Sequence, residues 1–119
     1  MLDDGSIHRS RENFFIGQIP PELPADRVRC MPMLRVWRQN PDDGLVEIIC
    51  REPDYLCTYR LNAAGSFLWM AMEDHPTLAE LIDLFAEEYG VEPEAVAEDV
   101  RAFLNVMIRK EHVRAVLMQ

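Results

Sequence analysis

The hydrophobic pattern of the chain changes its period near Asn62. Before it, three short runs are rich in apolar, β-branched and aromatic residues: Met33–Arg38, Leu45–Cys50 and Tyr55–Leu61. Alternation of side chains over four to eight residues is typical of strands. The separating sequences NPDDG and REPD contain the residues that favour turns. The pattern therefore predicts a three-stranded antiparallel meander.

The third run has one face more apolar than the other. Successive side chains of a strand point to opposite faces of the sheet. The more apolar face carries Tyr55, Cys57, Tyr59 and Leu61, and the other carries Leu56, Thr58 and Arg60. We expect the first set to face inward.

From Asn62 onward the apolar residues recur at three- and four-residue spacing, which indicates helices. Asn62 can cap the first helix, and Thr77 with Glu80 forms a capping box for the second. Gly90 is a typical helix stop, and Pro93 suits the first turn of a third helix. The apolar stripe of this third helix comprises Val96, Val100, Phe103, Leu104, Met107 and Ile108.

The sequence HVRAVLM near the end of the chain predicts a short terminal strand. The element order is then β-β-β-α-α-α-β, an α+β fold in which a small sheet joins three helices, as in winged helix-turn-helix proteins. Residues 1–31 begin polar and then contain Pro20, Pro21 and Pro24, which oppose regular strand pairing. We therefore expect a partly flexible N-terminal arm, 1–31, and one domain, 32–119.

The charge balance excludes some classes of partner. The chain of 119 residues has a formal net charge of −9. Nucleic-acid binding depends on Lys and Arg contacts with phosphate, and anionic membranes also attract basic segments. No apolar run approaches the ~20 residues that span a bilayer, and the polar N-terminus lacks a signal-peptide pattern. The expected location is the cytoplasm, where three unevenly spaced cysteines do not indicate disulfides.

Catalytic motifs are absent from the sequence. Cys50 and Cys57 match no zinc-binding spacing, and the three histidines are scattered. No phosphate-binding loop, dinucleotide glycine motif or Ser/His/Asp arrangement occurs. Small buried apolar groups are the more common role of such cysteines, and Trp37 and Trp69 are expected in the core. The sequence predicts a protein that is not an enzyme, with no catalytic residues, no metal and no cofactor.

The region from Leu61 onward resembles the PqqD-like family, the pyrroloquinoline quinone synthesis D type, which is also called the RiPP recognition element. The motifs are LN after the third strand, a small-residue helix with a Trp (AAGSFLW), a Thr-led second helix and DV…FL in the third. The last of these falls at Asp99, Val100, Phe103 and Leu104. The resemblance covers roughly Pro32 to Leu117. The arm is longer than the family's core requires, and EDHP replaces a turn that often contains Gly.

The resemblance implies a peptide-binding module with a winged helix-turn-helix fold. Its partner is the leader of a ribosomally synthesised precursor peptide, which adds as a strand to the third strand beside the third helix. The module then presents the precursor to a modifying enzyme such as a radical SAM protein, a peptidase or a cyclase. An open strand edge is suited to this because its backbone groups are unpaired. The predicted peptide-binding residues are Tyr55, Leu56, Cys57, Thr58, Tyr59, Arg60, Val100, Arg101, Phe103, Leu104 and Met107.

Two other functions are open at this stage. A winged-helix DNA-binding regulator would have a basic recognition helix, whereas the third helix here begins PEAVAED, which phosphates repel. A small subunit that completes the active site of a partner enzyme is the other possibility. An open strand edge and a loose arm also make a homodimer by strand exchange possible.

Overall fold

The computed structural model describes residues 13–51 and 56–118. Within them it has an α+β fold with two three-stranded antiparallel sheets and three α-helices. The strands are β1 (Asn13–Ile16), β2 (Val28–Pro32), β3 (Val36–Gln39), β4 (Val46–Arg51), β5 (Leu56–Arg60) and β6 (Val113–Met118). The helices are α1 (Ala63–Ala71), α2 (Leu78–Tyr89) and α3 (Pro93–Arg109), and short 3₁₀ turns lie at Ala25–Arg27 and Met72–Asp74.

The predicted meander is confirmed as the sheet β3-β4-β5, which we call the meander sheet. Ile48 in its central strand lies opposite Trp37 on one side and Tyr59 on the other. The observed strands differ from the predicted bounds by one to three residues at their ends, where turn residues compete with strand pairing.

A second sheet, β1-β6-β2, was not predicted, and we call it the terminal sheet. The terminal strand β6 was expected, but both of its partners come from the N-terminal segment. Phe15 lies opposite Val116, and Cys30 lies opposite Ala115. The three prolines lie between β1 and β2, so they remove no hydrogen bond from the ladder. The boundary at residue 31 stays a prediction.

The helix ends follow the sequence signals. The side chain of Asn62 accepts a hydrogen bond from the Gly65 N–H at 2.8 Å, which confirms the first cap. Thr77 and Glu80 form both hydrogen bonds of the capping box, at 2.8 and 3.1 Å. Gly90 ends α2 with φ 67°, a left-handed conformation in which glycine avoids the strain of a side chain. Pro93 is the first residue of α3.

The core lies between the two sheets' inner residues and the helices. Trp69 is 2% exposed, as expected for a core residue. Trp37 was expected there too, but this prediction is wrong because the side chain is 42% exposed. Trp37 lies on the outer strand of the meander sheet and packs with one edge against Trp69, at 6.1 Å between ring centroids. The winged-helix classification stays a prediction.

A side chain of α3 holds the segment between β1 and β2. The Asn105 Oδ1 accepts from the Ile19 N–H at 2.7 Å, and its Nδ2 donates to the Ile19 carbonyl at 3.1 Å. The Ile19 side chain is 1% exposed. One amide side chain therefore satisfies both backbone groups of a residue that enters the core.

Candidate functional site

One margin of β5 is unpaired within the described residues, because β5 is at the end of the meander sheet. The Leu61 N–H donates to the Val46 carbonyl at 2.9 Å. The backbone N–H and C=O groups of successive residues point to opposite margins of an antiparallel strand. Those of Cys57 and Tyr59 therefore point toward β4, as those of Leu61 do. The backbone groups that point to the free margin belong to Leu56, Thr58 and Arg60.

A cleft of about 580 Å³ lies beside this margin. Cys57, Thr58 and Tyr59 of β5 line one side of it. The turn after α3 supplies Lys110, Glu111 and His112 on the other side, and residues from β3, β4 and the connection before β3 complete the lining. The cleft thus joins a strand with free backbone groups to the end of a helix.

Tyr59 connects the two sides of the cleft. Its ring lies 5.2 Å from the His112 ring, centroid to centroid. The Lys110 ammonium lies 5.1 Å from the centroid of the same Tyr59 ring, within the range of a cation–π interaction. These contacts fix the C-terminal end of α3 next to β5, although α3 and β5 are far apart in sequence.

His112 is a buried polar residue at the base of the cleft, with 4% of its surface exposed. The Arg35 Nε donates to its Nδ1 at 3.4 Å, so the proton of the neutral ring is assigned to Nε2. That nitrogen lies 3.8 Å from the Cys50 Sγ. Burial, followed by the nearby charges of Arg35 and Lys110, lowers the pKa of His112, which favours the neutral ring.

A network of charges covers the outer face of the meander sheet at its other end. Arg38 and Arg60 each donate to a Glu47 carboxylate oxygen at 2.8 Å, and Asn40 donates at 2.9 Å. The hydrogen bonds from Asn40 and Arg38 lower the pKa of Glu47 despite the opposing effect of burial. Arg60 also contacts Asp43. Arg60 therefore has carboxylate partners inside the protein already.

The predicted residues of α3 lie in three different environments. Val100, Leu104 and Met107 are in the core with 1%, 0% and 0% exposure, so their side chains offer no surface to a ligand in this conformation. Phe103 is partly exposed and packs against α1, where a side chain in place of Gly65 would lie 2.9 Å from its ring. Arg101 donates to the Leu23 carbonyl at 3.4 Å, on the side of α3 that the N-terminal segment covers.

Of the predicted strand residues, Tyr55 lies outside the described residues. The structure brings Cys57, Thr58 and Tyr59 together at the cleft, while Leu56 is 62% exposed at the end of the same margin. It does not bring them together with Val100, Leu104 or Met107 in one cavity. A peptide-binding role for the whole predicted set stays a prediction.

Sequence reasoning missed Lys110, His112 and Arg35 as residues of the cleft. A signal existed for the first two, because they follow the last turn of a helix that must end near the sheet. Arg35 had no such signal, since its position depends on hydrogen bonds to His112 and to the Glu111 carbonyl, 76 residues away.

The cysteines differ in environment. Burial raises the pKa of Cys30 to about 12, which disfavours the thiolate, the reactive form of the side chain. Cys50 and Cys57 were expected as buried small residues, but both are partly exposed at the cleft and lie opposite each other in register. In the part of the chain that the structure describes, no three His, Cys, Asp or Glu side chains are arranged to hold a metal ion. No helix in that part has the length and apolar character needed to cross a membrane.

The fold and the cleft place the chain in a class of small α+β proteins in which, over residues 13–51 and 56–118, one strand margin is unpaired beside a helix. The family model described as "Coenzyme PQQ synthesis protein D (PqqD)" matches residues 54–113, half of the chain. The chain belongs to this family. No curated protein and no solved structure matches it.

Membership in the family is consistent with the site. The matched region begins just before β5 and ends at the start of β6, so it contains β5, the three helices and the turn that closes the cleft. The PqqD family is one of non-catalytic accessory proteins, and the match supports a part in peptide recognition of the kind used in coenzyme PQQ synthesis.

Proposed function

We propose that this protein is a non-catalytic peptide chaperone that binds the leader of a ribosomally synthesised precursor peptide and presents it to a modifying enzyme. The leader adds as a fourth strand to the free margin of β5. The observation that carries the proposal is the position of this margin, directly beside the cleft between Tyr59 and residues 110–112. A radical SAM protein, a peptidase or a cyclase is the expected class of modifying enzyme.

In strand addition, the backbone of the peptide supplies affinity and its side chains supply selectivity. The outward backbone groups of Leu56, Thr58 and Arg60 pair with any extended peptide, and each net hydrogen bond contributes about 0.5–1.5 kcal/mol. Selectivity comes from alternate side chains of the peptide, which point into the cleft. Burial of one Leu or Phe anchor contributes roughly 1.5–3 kcal/mol. Two anchors with this backbone pairing, less the cost of ordering the peptide, are sufficient for micromolar affinity.

The charge distribution opposes the DNA-binding alternative. The first turn of α3 contains Glu94 and no basic residue, and the residue that precedes the helix is Glu92. A helix that enters the major groove needs cationic or amide side chains at this end. The acidic start of α3 would repel the phosphates instead.

The proposal is tested by removing one backbone donor from the free margin. In Thr58→Pro the outward N–H is lost, while the hydrogen bonds from β5 to β4 involve Cys57, Tyr59 and Leu61 and are retained. We expect at least a tenfold loss of affinity in isothermal titration. The peptides are synthetic leaders from short reading frames beside the gene.

Gln39→Pro is the matched control. The Asn40 N–H donates to the Leu45 carbonyl at 2.8 Å, so the N–H of Gln39 points to the opposite, outer margin of the meander sheet. This variant should bind as the unmodified protein does. Equal losses in both variants, or no binding of any such leader by the unmodified protein, would refute strand addition at β5.

A further inference from the structure

The net charge of this protein is confined to one part of the chain. Residues 61–100, which contain α1, α2 and the first half of α3, include ten Asp and Glu residues and no Lys or Arg. The rest of the chain contains eleven acidic and twelve basic residues. The part of the chain that contains the helices therefore carries the negative net charge, whereas the remainder, which contains β5, is nearly balanced.

The cleft itself has an excess of positive charge. Its charged lining residues are Arg35, Lys110 and Glu111, and burial lowers the pKa of His112, which favours its neutral form. Arg35 is already committed to the Glu111 carbonyl and to His112. Lys110 differs, because no carboxylate of the described residues lies within ion-pair distance of it.

The Lys110 ammonium is also held in place before any ligand binds. It follows directly on α3 and lies over the Tyr59 ring. Tyr59 is on the inner face of the meander sheet, the face on which alternate side chains of an added strand would lie. A carboxylate on such a side chain reaches the ammonium without disturbing an existing ion pair.

We infer that the recognised peptide carries an Asp or Glu whose side chain enters the cleft beside Tyr59 and pairs with Lys110. This inference rests on the proposed function and defines the class of peptide, an extended segment with an acidic residue next to its apolar anchors. Lys110 is then a residue that determines specificity, whereas the margin of β5 supplies the sequence-independent affinity.

A displayed library of random twelve-residue peptides tests the inference on the full chain. Peptides selected by the unmodified protein should be enriched in Asp or Glu at one position relative to the apolar anchors. Selection with Lys110→Glu should shift that position to Lys or Arg. Arg109→Glu, an equal charge change at the neighbouring exposed residue outside the cleft, should retain the acidic preference.

A quantitative arm uses one selected peptide and its Glu→Gln analogue. The substitution should weaken binding to the unmodified protein by roughly three- to tenfold, the range of a partly exposed charged pair. It should change binding to Lys110→Glu by less than twofold or improve it.

The outcomes separate the inference from the function on which it depends. Enrichment of apolar extended peptides without an acidic position, or the same preference in all three proteins, overturns the inference and leaves strand addition standing. Failure of the unmodified protein to enrich any peptide contradicts both. If Arg109→Glu also lost the preference for an acidic peptide residue, the effect would come from the overall positive charge at the C-terminal end of α3. That result would overturn the specific role of Lys110.

Discussion

The two sheets of this protein have the same number of strands but different surroundings. The terminal sheet is part of the core: Val28, Cys30 and Ala115 are all 0% exposed. In the meander sheet, the central strand is buried in the same way at Val46 and Ile48, both 0% exposed. Its outer strands differ, because β3 is exposed at all four positions and β5 alternates between exposed and partly exposed residues. The outer strand β2 of the terminal sheet therefore provides stability, whereas the outer strands β3 and β5 of the meander sheet leave surface for a ligand.

The difference follows from the connectivity. The terminal sheet pairs the N-terminal segment with the last strand, so residues almost a whole chain apart are joined, as with Asn13 and Met118. Such long-range contacts form only when the chain is folded. The meander sheet is built from neighbouring segments with short turns, so it can form locally. It does not need a closed margin to hold the fold together.

Matched valines give the largest expected contrast between the sheets. Val28 begins β2 and is 0% exposed, and Val36 begins β3 and is 73% exposed. Val28→Ala should lower the free energy of unfolding by about 2–3 kcal/mol, because it removes buried methyl groups and leaves a cavity. Val36→Ala should change it by less than about 0.5 kcal/mol. Urea denaturation measures both, and similar values for the two would contradict the division of roles.

A smaller effect is expected where α3 holds the N-terminal segment. Asn105→Ala removes both hydrogen bonds to the backbone of Ile19, whose side chain is buried. We expect a loss of about 1–2 kcal/mol in the free energy of unfolding, with peptide affinity of the folded protein unchanged. Glu98→Gln, an exposed change on the same side of α3, is the control. A large loss of peptide binding in Asn105→Ala would connect the terminal sheet to recognition and weaken the comparison.

Most of the meander sheet and the helices could be predicted from the sequence, because their signals are local. Caps at Asn62 and Thr77 and the stop at Gly90 depend on residues within one turn. The prediction of an apolar stripe on α3 was also correct. Periodicity does not distinguish residues of the core from residues of a binding groove, however, and Val100, Leu104 and Met107 are core residues. Which residues of distant elements meet at a site depends on the tertiary fold, and a local sequence pattern does not encode it.

The terminal sheet shows that long-range pairing can also hide whole strands from a reading of the sequence. The prolines of the N-terminal segment were a correct signal for irregular backbone, but they lie between β1 and β2 and conceal strands on both sides. Residues 13–16 and 28–32 are short, and they become strands only because β6 offers both of its margins to them. Pairing across about 100 residues leaves no local trace.

The smallest expected effect concerns pH and the base of the cleft, where His112 packs against Tyr59 of the meander sheet. The pKa of His112 is lowered in the folded protein, so the unfolded chain binds more protons as the pH falls through the ordinary histidine value of about 6.5. Stability that is present above this value should therefore decline between pH 7.5 and 5.5. A proton on Nδ1 would also face the Arg35 Nε–H, which now donates to it.

Two histidine variants identify the source of that decline. His112→Gln should flatten the pH dependence of the urea midpoint in this range, even though its midpoint at pH 7.5 is lower. His75→Asn, a change at an exposed histidine in left-handed backbone, should keep the slope of the unmodified protein. The pKa of Glu47 is lowered, so this carboxylate stabilises the fold at pH values above the ordinary pKa of a carboxyl group. Its contribution is lost only in more acidic solution, outside the measured pH range. A slope that survives in His112→Gln would mean that the base of the cleft is not where the pH dependence of the fold originates.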